Sequence, residues 1–182
     1  GIKLCESYNR QYGKSHDLDF RSVMPTNLYG PGDNYHSLNS HVIPSLIKRF
    51  HEAKIFKKKS VAIWGTGKPK REFLYVDDMA RACIYIMNLS KKIYKKKTHT
   101  MCSHINVGSN KEFTIKKLAQ IIKKIVDYKG QIIFDKTKPD GNPQKLMDSG
   151  LVNKLGWKHK VELEKGIAKT YFEFKKLKQI EI

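Results

Sequence analysis

Arginine is scarce in this chain: of 36 basic residues among 182, 31 are Lys and five are Arg, namely Arg10, Arg21, Arg49, Arg71 and Arg81. Acidic residues are short as well, 17 in all, which leaves a formal net charge of +19. Clustered cations can neutralise a phosphate backbone. Here the lysines are spread along the whole chain, and the runs at 57–59 and 95–97 fall between periodic segments without aromatic interleaving. They read as solvated loops, which weighs against a nucleic-acid surface. Cysteine is also sparse. Cys5, Cys83 and Cys102 are odd in number, far apart and free of any CxxC, which excludes a disulfide framework and points to reduced thiols in a cytosolic protein. No run approaches the ~20 apolar residues that cross a bilayer, and no signal-peptide pattern opens the chain. Instead Gly1 to Tyr12 reads as helix from its first residues, as though the chain began inside an element.

What is present is enough for a core: 40% of the residues are hydrophobic, and the length suits one domain or a large piece of a two-domain enzyme. Because Lys serves wherever a generic cation will do, the five Arg residues rank first as candidates for bidentate contacts to an anionic ligand.

The chain is organised around Arg21 to His41. Leu18 to Met24 suits a buried strand, after which Pro25, Gly30, Pro31 and Gly32 rule out both helix and regular sheet. Backbone groups in such a loop need partners, and open α/β sheets hold ligands at the carboxyl ends of their strands. Asn39 or Ser40 is the expected N-cap of the following helix, with Pro44 tolerated in its first turn. Ile43, Leu46, Ile47 and Phe50 form its core stripe. His41 lies outside that stripe and faces back to the loop. It is open to two readings, a polar cap residue or an imidazole aimed at a ligand.

A second informative stretch runs from Val61 to Trp64 as a strand, breaks at Gly65 and Gly67, and resumes from Arg71 to Asp78 with outward and inward alternation. Asp77 or Asp78 is the expected cap of a helix that stacks Met79, Ala82, Cys83, Ile86 and Met87 on one side. Trp64 is either core or a stacking platform, and Arg71 either a surface ion pair or a phosphate grip. Ile105 to Val107 and Gln131 to Phe134 are short strands, and Thr114 caps a helix burying Ile115, Leu118, Ile121, Ile122 and Ile125. The loop from Asp135 to Asp148 suits ribose hydroxyls and phosphate, or is an exposed connector. Leu163, Ile167, Tyr171 and Phe174 mark a closing amphipathic helix.

Four segments in this order, NLYGPGDNYHSLNSHVIPSLIKRF, WGTGKPKREFLYVDDMA, HINVG and KPDGNPQKL, resemble the GDP-L-fucose synthase family of extended short-chain dehydrogenase/reductases. REFLYVDD alone indicates only the superfamily; the NSHVIP segment and the KPDG loop narrow it. The resemblance implies an α/β fold: residues 1–182 would form a partial NAD(P)-binding Rossmann-like domain interleaved with a nucleotide-sugar-binding lobe. It implies NADP (NADPH) as cofactor and a GDP-sugar substrate. The expected reaction is conversion of GDP-4-dehydro-6-deoxy-D-mannose to GDP-L-fucose, by 3,5-epimerisation and reduction at C4. It further implies a cytoplasmic homodimer, with no metal, nucleic acid or membrane partner. His41 matches the family's proton donor. Pro25, Thr26, Asn27 and Leu28, with His41, match the segment along the nicotinamide. Arg49, Trp64, Arg71 and Asp140 match substrate contacts, Lys145 is their neighbour, and Arg10, Arg21 and Arg81 are structural. Arg49, two turns beyond His41, is expected to face the same cleft.

The family's Gly-rich turn, catalytic Ser, Tyr-x-x-x-Lys pair and epimerising Cys all match positions before Gly1. The chain alone is therefore expected to be inactive, with an exposed sheet edge that destabilises it. The alternatives are another nucleotide-sugar epimerase or dehydratase of the superfamily and, last, a basic nucleic-acid-binding module.

Overall fold

The computed structural model describes residues 1–37 and 39–180. In chain order the elements are α1 (Ile2–Tyr12), β1 (Val23–Pro25), β2 (Asn27–Tyr29), α2 (Val42–Ile55), β3 (Ser60–Trp64), β4 (Lys70–Tyr75), α3 (Val76–Met87) and α4 (Lys91–Lys97). There follow β5 (Ile105–Val107), β6 (Glu112–Thr114), α5 (Ile115–Val126), β7 (Gln131–Asp135), β8 (Gln144–Lys145), α6 (Gly150–Lys154) and α7 (Leu163–Ile180). The fold is α/β as expected. β1 pairs in parallel with β5, β3 with β7, and β2 with β4, which also takes β6 antiparallel and β8 parallel.

β4 divides two cores. Phe73 and Tyr75 point into one, with Ile47 and Phe50 of α2, Leu118 and Ile122 of α5, and Ile167 and Phe174 of α7. Leu74 points into the other, with Met79, Ala82 and Ile86 of α3, Ile105 and Val107 of β5, Val152 and Trp157. Side chains alternate across a strand, so a strand covered on both faces is buried at every position. This corrects the expected in-and-out alternation after Arg71: residues 72–75 are all buried. Each large side chain so enclosed contributes about 1.5–3 kcal/mol of transfer free energy.

Several boundaries differ from the sequence reading for identifiable reasons. The strand expected from Leu18 starts only at Val23, because the backbone N–H and C=O of Phe20 are both bonded by the Asn9 side chain of α1, at 2.8 and 2.6 Å, instead of a neighbouring strand. Pro25 does not end pairing. It closes β1 opposite Val107, Thr26 N–H donates to the Val107 carbonyl at 3.1 Å, and the chain then crosses to β4 as β2. His41 itself, neither Asn39 nor Ser40, is the N-cap of α2, without a side-chain cap bond. Tyr75 occupies the N-cap of α3; Asp78 in the first turn pairs with Arg81 and accepts the Lys160 and Val161 N–H groups. Met87 is 59% exposed and leaves the α3 stripe. The 95–97 lysines lie on helix α4, capped by Ser90, not in a loop, and the Asp135 to Asp148 segment contains β8. The stripes of α2 and α7, the Thr114 cap, and strands β3, β5 and β7 stand as expected.

Candidate functional site

The parallel strands β1 and β2 deliver the chain to a cavity of about 350 Å3 at their carboxyl ends. Asn27, Leu28, Gly30, Asp33 and His41 line it together with Ile43, Pro44, Phe73 and Val76. His41 reaches it because α2 starts there; its imidazole is exposed at the helix N-terminus, where the dipole favours anions. Asp33 stands close enough for the His41 charge to act on its carboxyl. Burial lifts the Asp33 carboxyl above its ordinary value, against the pull of the Asn34 amide and of His41, and Oδ2 is buried with no partner. An unpartnered buried acceptor beside an imidazole is an arrangement that a ligand donor can complete. Sequence reasoning missed Asp33; its only signal was an acid inside the glycine-rich GPGDNYH run.

Of the four residues expected beside the cofactor, Asn27 and Leu28 line the cavity, while Pro25 and Thr26 sit one step behind it. Thr26 Oγ1 and Asn27 Nδ2 both donate to the Glu72 carbonyl, at 3.3 and 2.7 Å. These side chains serve the fold and leave the backbone to face the cavity. Glu72 is itself fully buried and accepts the Asn110 and Met147 N–H groups at 2.7 and 3.2 Å, so it ties the loop after β5 and the segment before α6 to β4. Any Cβ on Gly108 would stand 2.3 Å from Glu72 Oε1, which requires glycine there.

The remaining candidates gather on a separate rim. Trp64 ends β3 with 68% of its surface exposed, so it is not core; the Lys138 ammonium lies 5.9 Å from its ring centroid. Gly65 and Gly67, at φ 78° and 73°, make a turn that only glycine takes without strain. Asp140 receives Thr66 N–H at 2.8 Å and Thr66 Oγ1 at 2.6 Å, which hold its carboxyl below the ordinary value, the hydroxyl first. Arg71 Nη1 donates to the Lys70 and Asn142 carbonyls at 2.7 and 2.6 Å, and Lys145 pairs beside Arg71 in the β4–β8 register. Trp64, Arg71, Asp140 and Lys145 are thus brought together by the Gly65–Gly67 turn and the loop before β8. Arg49 does not share the His41 cavity. Its guanidinium, half-buried, donates to the Ala62 carbonyl of β3, two residues before Trp64, and burial lowers its pKa. Rim and cavity meet at β4, since the Glu72 carbonyl that holds Thr26 and Asn27 directly follows Arg71.

Arg21 is structural as expected, bonded to Asp19 and to the Leu89 carbonyl, and Arg81 pairs with Asp78. Among the described residues no group of three or more His, Cys, Asp or Glu could hold a metal, and no helix is long and apolar enough to cross a membrane.

The model of the NAD dependent epimerase/dehydratase family matches residues 1–108. A GDP-L-fucose synthase of Escherichia coli is 57% identical over 171 residues, covering 94% of this chain and 52% of its own length. A GDP-6-OMe-4-keto-L-xylo-heptose reductase of C. jejuni superposes with TM-score 0.84 at 36% identity, covering 96% of this chain and 57% of that one. A GDP-L-fucose synthetase of Naegleria fowleri bound to NADP superposes with TM-score 0.83 at 28% identity, covering 97% and 53%. The chain spans about half the length of the curated relatives it matches.

Proposed function

The chain belongs to the NAD dependent epimerase/dehydratase family, and we propose that it forms the substrate-binding half of a GDP-L-fucose synthase. The enzyme would convert GDP-4-dehydro-6-deoxy-D-mannose to GDP-L-fucose by 3,5-epimerisation and reduction at C4. In this reading residues 1–182 hold the last part of the Rossmann sheet, interleaved with the nucleotide-sugar lobe. One observation carries it: Asn27, Leu28 and His41 converge on one cavity at the carboxyl ends of parallel strands, where open α/β sheets hold ligands.

Epimerisation beside a ketone requires a base on one face of the sugar and an acid on the other. His41 serves as that acid, donating a proton to the carbon opposite the base. Asp33, whose carboxyl feels the His41 charge, offers its unpartnered Oδ2 to a ligand donor. The cavity fits a pyridine ring, since Leu28, Ile43, Pro44, Phe73 and Val76 supply apolar walls and Asn27 a polar edge. NADPH, when bound, supplies the hydride for C4; Pro25, Thr26, Asn27 and Leu28 present their backbone to it. Arg49, Arg71 and Lys145 meet the diphosphate, Trp64 stacks on the base or sugar, and Asp140 accepts from a hydroxyl. A homodimer through α1 is supported by its exposed Leu4 and Tyr8, and a cytoplasmic setting by three free cysteines.

The test joins the matching first half of the E. coli relative to this chain and follows deuterium uptake at C3 and C5 of the product from D2O. Exchange at both carbons is expected, slowed about 100-fold or more by His41→Gln in a chimera of unchanged thermal stability. Exchange indifferent to His41→Gln would refute the role of the imidazole. Reduction without exchange would favour the second reading, a GDP-sugar C4 reductase, which the likeness to the heptose reductase supports.

A further inference from the structure

A second cavity, of about 340 Å3, lies at the opposite pole of the β1–β5 pair. Leu18 and Asp19, which precede β1, and Ser103, which precedes β5, line it, so it sits at the amino ends of strands whose carboxyl ends lead to the His41 cavity. Its other walls are the inner face of α1, through Glu6 and Arg10, then Lys14, and Lys95 of α4.

The charges around it do not cancel. Both acids are neutralised in place: Glu6 by Lys3 at 2.7 Å and the Ser103 N–H at 2.9 Å, and Asp19 by Arg21 at 2.6 Å. The cations are surplus. Among the described residues Arg10 donates to the Met101 thioether and the Ser7 hydroxyl, both neutral and the first a weak acceptor, Lys14 enters no ion pair, and Lys95 enters none although its charge acts on Asp17, which Lys91 already pairs. Ser103 is 7% exposed and its Oγ has no partner. Its backbone is pinned on both sides, by the bond to Glu6 and by Tyr94 Oη donating to its carbonyl at 2.5 Å, so the hydroxyl is held in place. A buried hydroxyl without a partner costs stability unless something completes it.

We propose that this cavity binds a phosphate monoester, with the phosphoryl group held by Arg10, Lys14 and Lys95 and accepting a hydrogen bond from Ser103 Oγ. A phosphoryl group combines a charge near −2 with several strong acceptor oxygens, matching three cations without an ion-pair partner and one unpartnered hydroxyl, as a single carboxylate would not. The volume exceeds a phosphate ion and leaves room for the organic part of an ester.

Inorganic phosphate and glycerol 3-phosphate, titrated separately into the 182-residue chain, provide the probes, with sodium chloride at matched ionic strength as control. Backbone amide shifts by NMR give the readout. Saturable shifts are expected at Lys95, Thr98, Ser103 and His104, with the ester binding more tightly than phosphate. Arg10→Gln combined with Lys95→Gln should weaken binding about tenfold or more, and Ser103→Ala, which keeps the pinned backbone, about fivefold. Shifts that follow ionic strength alone, or that centre on Arg71 and Lys145, would overturn the proposal. Affinity unchanged in both variants would do so as well.

Discussion

Asp33 and Asp140 have pKa values displaced in opposite directions, and the contrast separates the two parts of the candidate site. Asp33 lies in the His41 cavity, where burial outweighs everything that would keep it ionised. Asp140 lies on the rim, where two donors from Thr66 hold it as a carboxylate in contact with water. The cavity has apolar walls, with its polar side chains turned to the Glu72 carbonyl or left incomplete. The rim is made of charged and aromatic side chains displayed on a glycine turn. Changes near the cavity should therefore act first on stability, and changes on the rim on ligand affinity.

The sharpest test of this division is Glu72→Ala, which leaves the Asn110 and Met147 N–H groups buried without an acceptor beneath the cavity. The expected loss is about 3 kcal/mol in urea unfolding; a loss under about 0.5 kcal/mol, typical of a surface site, would break the comparison. Gly65→Ala should cost about 2 kcal/mol by the same measurement, because it forces a side chain into a positive φ and toward Asp140 Oδ1. Gly65 lies on the rim and Glu72 beneath the cavity, so His41 should keep its environment in Gly65→Ala and lose it in Glu72→Ala. On the rim, Arg71→Lys retains charge but loses the planar fork. In the chimeric enzyme it should raise KM for the GDP-sugar about tenfold, near 1.4 kcal/mol, with kcat and thermal stability unchanged. An equal fall in kcat would place Arg71 at the chemistry instead.

The smallest effect concerns pH, and its sign follows from linkage. The folded state holds the Asp33 proton more tightly than the unfolded chain does, so its contribution is present below the unfolded value and declines as pH rises through the raised folded value. Asp140 behaves oppositely: its contribution is present above the unfolded value and is lost as pH falls through the depressed one. Asp33→Asn should therefore flatten the decline above the ordinary carboxylate range, and Asp140→Asn the loss below it, in Tm measured against pH. The same slope in both variants would remove the contrast.

Much of the fold was legible because its signals are local. The α2 stripe at Ile43, Leu46, Ile47 and Phe50, the Thr114 cap and the breaks at Gly65 and Gly67 each depend on a few neighbouring residues. What was not legible depends on distant partners. Phe20 is taken from the strand by Asn9, the alternation after Arg71 vanishes because β4 is covered on both faces, and Met87 falls beyond the core that α3 faces. In the same way helix geometry allowed His41 and Arg49 to share a cleft, but the Ala62 carbonyl draws the guanidinium to β3. Trp64 with Arg71, and Asp140 with Lys145, are near neighbours in sequence, but the two pairs are far apart; only the resemblance joined them, and β4–β8 pairing with the Thr66 bonds supplies the physical reason.

The division of labour between cavity and rim is tested most directly by titrating GDP alone into the chain and mapping amide and indole shifts. Saturable changes at Trp64, Thr66, Arg71 and Asn142, with Leu28, Gly30 and His41 silent, are the predicted result. Changes centred on Leu28, Gly30 and His41 with the rim silent would contradict it.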